Sequence, residues 1–131
     1  MIIPDLLIKI LRFGVTGSIG FTIDFGITYL CKEKFHLNKF VANGSGFVLA
    51  VINNYFLNRI WTFQSTDPGI GKQFSFFLLI SLIGLSIYTC LLYFFHIKKE
   101  KHFYYSKLLA VFLVFIWNFT ANSLITFHYA L

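Results

Sequence analysis

FVANGSGFVLAVINNYFLNRIWTF, residues 40–63, is the stretch that decides the fold. Residues 40–57 hold no charged side chain, and at about 1.5 Å per residue they nearly cross a hydrocarbon core of roughly 30 Å. One ridge of this helix carries small residues and then amides, four positions apart: Ala42, Gly46, Ala50, Asn54 and Asn58. Small residues let a second helix approach closely, and amides in lipid need a partner. The stretch therefore predicts a transmembrane helix that packs along this ridge.

A cation and an indole ring follow this span directly. Arg59 and Trp61 stand where a basic anchor and an interfacial aromatic are expected at a membrane boundary. The residues alone leave two interpretations open. The ridge and the arginine serve helix packing and anchoring, or they form a site for a lipid head group at the membrane surface.

The composition is that of an integral membrane protein. Of 131 residues, 57% are hydrophobic and 12% charged, and the mean hydropathy is +0.74. A soluble domain carries about 25% charged residues. The net charge of +6 favours contact with anionic head groups. Nucleic acid is disfavoured, because the positive charges stand singly between apolar segments. Cys31 and Cys90 lie within apolar segments, so neither a disulfide framework nor a metal site is predicted.

The hydropathy pattern predicts an all-α integral membrane protein that is a single domain over residues 1–131. The four transmembrane helices are expected at residues 13–31, 40–58, 74–96 and 108–130. Residues 1–12, MIIPDLLIKILR, place apolar side chains at helical spacing. They predict a short amphipathic helix that lies on the membrane interface and leads into the first span.

Asp24 is the one acidic residue of the sequence inside a predicted span. A carboxylate at the bilayer centre costs about 2.5–3.5 kcal/mol on insertion scales. Asp24 is therefore expected to face the bundle interior and to have a partner. A structural hydrogen bond and a functional role both satisfy this requirement.

The two halves of the chain form an internal repeat with a period of 64 residues. Residues 12–63 align without gaps on residues 76–127. The alignment pairs two amides of the first half with two of the second: Asn54 with Asn118, and Asn58 with Asn122. Each half holds two spans, so the halves are predicted to be hairpins of the same orientation. Asp24, Arg59 and Trp61 have no counterparts in the second half, which favours a single specialised site.

LRFGVTGSIGFTIDFGITYL (residues 11–30) and FVLAVINNYFLNRIWTF (residues 47–63) resemble the GtrA-like family of small four-span bacterial membrane proteins. The resemblance covers nearly the whole chain. It implies flipping of a polyprenyl-phosphate-linked sugar, typically undecaprenyl-phosphate glucose, across the bacterial cytoplasmic membrane for cell-surface polysaccharide synthesis. It also implies partner glycosyltransferases, one that charges the lipid and one that uses the sugar outside. For some members a role as a membrane anchor for other enzymes has been proposed instead.

Such a lipid presents a phosphate, for which basic side chains are the candidates. Arg59 is the first choice, because a guanidinium matches phosphate bidentately. Arg12 and Lys9, at the start of the first span, are expected to share that surface.

The sugar presents hydroxyl groups and an apolar ring face. The amides suit the hydroxyls because they both donate and accept: Asn54, Asn58, Asn118 and Asn122. Trp61 is the candidate for stacking on the ring. The hypothesis for Asp24 is that it holds an arginine when no ligand is bound, or binds sugar hydroxyls.

Two other functions stay open. A proton-coupled exporter of small cations, of the small-multidrug-resistance type, would use Asp24 as its proton and drug site. A non-transporting anchor or assembly subunit for glycosyltransferases would use the small-residue ridges to recruit partner helices. An enzyme is disfavoured, because the sequence offers no nucleophile–base pair, carboxylate pair or metal cluster. No cofactor is predicted.

The loop charges and the number of spans bear on the orientation and the assembly. Basic residues are more numerous in the loops opposite the termini, so the positive-inside rule favours both termini outside. The resemblance implies both termini inside, and we follow the resemblance. Four spans are few to enclose a path for a sugar, so a homodimer or larger assembly is expected.

Overall fold

The computed structural model describes residues 2–100 and 102–128, and these residues form helices joined by short connections, without strands. The four long helices are α1 (Ile2–Tyr29), α2 (Lys39–Leu57), α3 (Ile70–Leu92) and α4 (Phe103–Ala121). Each belongs to a helical segment long and apolar enough to cross a membrane. The chain is a multi-pass membrane protein, and the predicted all-α class with four spans is confirmed.

Each helix ends in a wider turn whose amides bond the carbonyl five residues back. These π turns are Leu30–Lys34, Asn58–Thr62, Tyr93–Lys98 and Asn122–Thr126. The Phe63 and Phe127 amides, for example, donate to the carbonyls of Asn58 and Asn122, both at 2.8 Å. Such bonding satisfies carbonyls at a helix end where apolar surroundings supply no water. Arg59 and Trp61 are consequently part of the helical segment rather than of a loop beyond it.

Residues 2–12 do not form a helix of their own. Helix α1 runs unbroken from Ile2 to Tyr29, so the predicted separate amphipathic helix is wrong. Nothing in the sequence interrupts it at Arg12 and Phe13. Pro4 lies in the first turn, where a helical N–H has no intrahelical acceptor and its absence is tolerated.

The helices also reach beyond the predicted spans at other ends. Helix α3 begins at Ile70, ahead of the predicted residue 74. The Asp67 carboxylate accepts the Gly69 N–H at 2.8 Å, and the Ile70 N–H donates to the Pro68 carbonyl at 2.9 Å. The turn chemistry thus starts the helix. Helix α4 begins at Phe103, ahead of the predicted residue 108. Residues 129–130, included in the fourth predicted span, lie outside the described residues.

The first compact unit, Met1–Thr66, is a hairpin in which α1 packs on α2. The predicted small-residue ridge of α2 forms the contact. A Cβ atom on Gly46 would come within 2.5 Å of the Asp24 backbone carbonyl and of the Thr28 hydroxyl. A Cβ atom on Gly20 of α1 would overlap the Asn54 amide. The glycines therefore set how closely the two helices approach.

The second compact unit, Asp67–Leu131, is a hairpin of α3 and α4 with the same local packing at repeat-related positions. Gly84 leaves room for the Asn118 amide, as Gly20 does for Asn54. The rings of Phe77 and Phe127 meet edge to face with centroids 6.3 Å apart. Their counterparts in the first hairpin, the rings of Phe13 and Phe63, are also 6.3 Å apart. Large apolar side chains cover the outer faces of both hairpins, as lipid contact requires.

Candidate functional site

One end of the first hairpin gathers basic side chains and an indole. We call the group formed by Lys9, Arg12, Arg59 and Trp61 the basic end. The Arg12 Nη1 donates to the Trp61 carbonyl oxygen at 3.0 Å, and the guanidinium carbon lies 5.4 Å from the centre of the indole ring. Arg59 is half-buried in the same π turn as Trp61, and Lys9 lies one turn before Arg12 on α1. Three predicted phosphate ligands and the predicted stacking residue thus lie at one end of one hairpin.

The Arg12–Trp61 contact predicts a fluorescence change. In a Trp117→Phe background Trp61 is the single tryptophan. Arg12→Gln uncovers the indole face, so we expect faster quenching by acrylamide, a neutral quencher, and a red-shifted emission of Trp61. Lys39→Gln, at the other end of the hairpin, is the control and leaves the spectrum unchanged. Identical quenching in Arg12→Gln and the parent would contradict the contact.

The amides of α2 lie inside the helix pair. Asn54 packs against Gly20, and Asn58, on the same ridge, is 2% exposed. One sequence-based hypothesis places these amides and Arg59 together in a head-group site. The structure instead buries Asn58 in the α1–α2 contact and leaves Arg59 half-exposed at its edge.

The equivalent amides of the two hairpins differ in their hydrogen bonds. In the second hairpin, the Thr126 hydroxyl donates to the Asn122 Oδ1 and the Asn122 Nδ2 donates to the Asn118 carbonyl, both at 2.7 Å. In the first hairpin, the corresponding Asn58 Oδ1 and Thr62 Oγ1 are buried without a hydrogen-bond partner among the described residues. A buried acceptor without a partner is costly in a fold. The asymmetry predicted from the charges therefore extends to the amides.

Asp24 lies away from the basic end. It follows Arg12 by 12 residues of helix, about 18 Å along the axis. Its Oδ1 accepts a hydrogen bond from the Thr28 hydroxyl at 3.3 Å, and that hydroxyl also lies 3.4 Å from the Ala42 carbonyl oxygen. In this structure the Asp24 carboxylate thus bonds Thr28, and both arginines of the sequence lie at the basic end. Gly46 packs against Asp24, so a close neighbour of this residue is helix backbone rather than a cation.

Asp24 opens onto a cavity of about 290 Å³, which we call the Asp24 cavity. Its lining combines three polar residues, three aromatic rings and a charged rim: Asp24, Thr28, Asn43, Phe21, Phe25, Tyr29, Lys32 and Glu33. The volume is close to the lower end of the roughly 300–1,000 Å³ range of small-molecule sites. Sequence reasoning missed Asn43 and the rings. The sequence offered two signals. Asn43 stands one position beyond Ala42 of the packed ridge, and Phe21 and Phe25 stand four residues apart in the first span.

The rim of the Asp24 cavity carries both signs of charge. The Lys32 Nζ lies 3.6 Å from the Glu33 Oε1, and both side chains are about half exposed, at 53% and 52%. An exposed pair of this kind is worth about 0–1 kcal/mol, so Lys32 can exchange Glu33 for a ligand at little cost. Among the described residues no three His, Cys, Asp or Glu side chains lie together in a way that could hold a metal ion.

Two comparisons place this chain among known proteins. Residues 12–127 match the family model described as the GtrA/DPMS transmembrane domain. The chain is also 30% identical over 116 residues to the uncharacterized membrane protein YngA of Bacillus subtilis (strain 168), an alignment that covers 88% of this chain and 77% of YngA. A match to this family fits a membrane protein that is linked to the handling of polyprenyl-phosphate sugars. The family is generally non-catalytic. The chain belongs to the GtrA/DPMS transmembrane-domain family.

Proposed function

We propose that this protein translocates a polyprenyl-phosphate-linked monosaccharide, such as undecaprenyl-phosphate glucose, across the bacterial cytoplasmic membrane for cell-surface polysaccharide glycosylation. The observation that carries the proposal is the Asp24 cavity. It joins a carboxylate, an amide and aromatic faces beside a lysine, within a helix pair that exposes many large apolar side chains.

The lining of the Asp24 cavity suits the head of such a lipid. The Asp24 carboxylate accepts from sugar hydroxyls, and the Asn43 amide both donates and accepts. Phe21 and Phe25, with ring centres 6.1 Å apart, offer apolar faces to the sugar ring. Lys32 at the rim supplies a positive charge for the phosphate. The prenyl chain stays outside, along the apolar surface of the hairpin.

The basic end supplies a second place for the phosphate. Arg59, Arg12 and Lys9 stand at the end of the hairpin opposite to Lys32. A lipid that crosses the membrane needs a head-group contact at each surface, and the antiparallel hairpin offers one at each of its ends. The buried oxygens of Asn58 and Thr62 lie in the helix pair and are acceptors for hydroxyl groups when the pair opens.

The proposal includes partners. Glycosyltransferases that charge the lipid on one side and use the sugar on the other are the expected partners. A homodimer or larger assembly would surround the head group more completely than one hairpin pair.

Reconstituted vesicles test the function. Purified protein is inserted into liposomes that hold undecaprenyl-phosphate glucose in the inner leaflet, and the sugar that reaches the outer leaflet is oxidised by external periodate. We expect exposure of the sugar to be faster than in protein-free vesicles. Equal rates in both vesicle types would refute translocation by this protein alone and would favour the anchor function. Asp24-dependent export of cationic dyes, without sugar-lipid movement, would favour the exporter.

Arg59→Ala is expected to slow translocation about tenfold or more, since charge-assisted bonds to phosphate are worth about 1.5–3 kcal/mol. Arg59→Lys should recover only part of the rate, because a lysine lacks the bidentate fork. Lys98→Ala, in the last turn of the third helical segment, serves as the matched loss of a surface cation. A wild-type rate for Arg59→Ala at equal protein level would remove Arg59 from the phosphate site.

A further inference from the structure

The second hairpin has a cavity that neither the repeat nor the proposed function assigns. It measures about 430 Å³ and lies where α3 begins and α4 ends. We call it the Lys72 cavity. Its polar lining includes Lys72, Gln73 and His128, with Asp67 at the start of α3. Its other wall is apolar and is formed by Phe76, Leu124 and Ile125.

We propose that the Lys72 cavity binds the phosphodiester of a membrane phospholipid, with an acyl chain of that lipid lying along the apolar wall. The cavity lies at the end of two membrane-spanning helices, where head groups and acyl chains meet. It joins the two chemistries that such a lipid presents. The Lys72 Nζ lies 5.9 Å from the centre of the Phe76 ring, so its charge stands directly beside the apolar wall.

The charges of the lining favour a phosphodiester over a doubly charged phosphate. The charges of Asp67 and Lys72 cancel, so these two residues leave the lining without net charge. Asp67 is engaged at the start of the helix, where it accepts the Gly69 N–H at 2.8 Å. Lys72 is an exposed cation that can bind a singly charged phosphodiester. Gln73, 4% exposed, lines the inner part of the cavity.

The first hairpin shows why this cavity is open. The repeat aligns Phe76 with Arg12 and Ile125 with Trp61. In the first hairpin the guanidinium lies on the indole and bonds the Trp61 carbonyl, so side chains fill the equivalent place. In the second hairpin smaller or apolar side chains stand there, and the cation has moved to the rim at Lys72. The second hairpin thus has a cation, Lys72, at this end, although it does not align with the basic residues of the first.

Site-resolved cross-linking tests this proposal and does not depend on translocation. The full protein in phosphatidylcholine bilayers receives phosphatidylglycerol that carries a diazirine on its acyl chain, and cross-linked peptides are mapped by mass spectrometry. We expect adducts on the segments that hold Phe76 and Leu124. Lys72→Gln should lower their yield about fivefold, the effect of a single cation near an anionic lipid. Lys72→Arg should restore it.

Lys107→Gln is the matched control, an exposed lysine at the other end of the same hairpin, and should leave the adducts unchanged. Equal yields in Lys72→Gln and the wild type would overturn the proposal. Loss of the adducts in excess inorganic phosphate would overturn it as well, since the cavity would then recognise the free ion. Persistence of sugar-lipid translocation in Lys72→Gln would leave the proposed function standing whichever result the cross-linking gives.

Discussion

Gly46→Ala is expected to destabilise the protein by about 1–3 kcal/mol, the usual cost of forcing an extra methyl group into a packed contact. A Cβ atom on Gly46 would come within 2.5 Å of the backbone carbonyl of Asp24. A backbone atom cannot rotate away as the end of a side chain can, so α1 and α2 must separate. The free energy of unfolding, measured by circular dichroism during titration with a denaturing detergent, reports the loss.

Gly44→Ala provides the control on the same helix. Nothing lies within 4 Å of the position that its Cβ atom would take. Alanine at this exposed site is expected to leave stability unchanged, or to raise it by about 0.5–1 kcal/mol through helix propensity. If both alanines have the same effect, the close approach at Gly46 is not what holds the first hairpin together.

Asp24→Asn is expected to slow sugar-lipid translocation about tenfold and, at the same time, to leave the fold as stable or more stable. The amide oxygen still accepts from the Thr28 hydroxyl, so the local geometry is kept. The lost charge weakens hydrogen bonds from sugar hydroxyls, since bonds to a charged group are about twice as strong as neutral ones. Removal of a carboxylate from a spanning helix recovers part of the roughly 2.5–3.5 kcal/mol that its insertion costs.

The vesicle assay and the detergent titration, applied to the same Asp24→Asn preparation, separate these effects. Glu100→Gln, an exposed change in the connection before α4, is the matched control and should alter neither quantity. A slower rate together with a lower stability would mean that Asp24 is a structural residue. An unchanged rate would remove the carboxylate from the sugar site.

The two hairpins share packing contacts but differ in their polar chemistry. Both keep the glycine–asparagine contact and the phenylalanine pair, which hold two helices together. In the second hairpin Asn122 bonds within its own helix, whereas the equivalent Asn58 oxygen has no such bond. Packing positions are shared because both helix pairs need them. The polar positions around them are free to diverge. The first hairpin has the Asp24 carboxylate and the guanidinium groups of Arg12 and Arg59.

The sequence by itself determined the architecture of this protein. A sufficiently long apolar run is stable as a helix in the bilayer. Small residues four positions apart lie on the same face of that helix. These two facts locate four spanning helices, and they predict that Gly46 is buried in a helix contact. The period of 64 residues likewise marks Phe13 and Phe63 as equivalents of Phe77 and Phe127. Such features are local or periodic, and for that reason they can be recognised in one dimension.

Only the tertiary structure decided which polar groups meet. Asp24 and Arg59 are the charges that stand out in the sequence, yet the antiparallel course of α1 and α2 carries them to opposite ends of the hairpin. The register of the two helices, set by the close contact at Gly46, brings Asn43 to Asp24 and Arg12 to Trp61. That register depends on how the side chains of the two helices fit together. The spacing of residues within one helix does not reveal this fit. The extension of helix α1 back to Ile2 has a different origin: a continuous helix satisfies every backbone group that a break would leave unbonded in lipid.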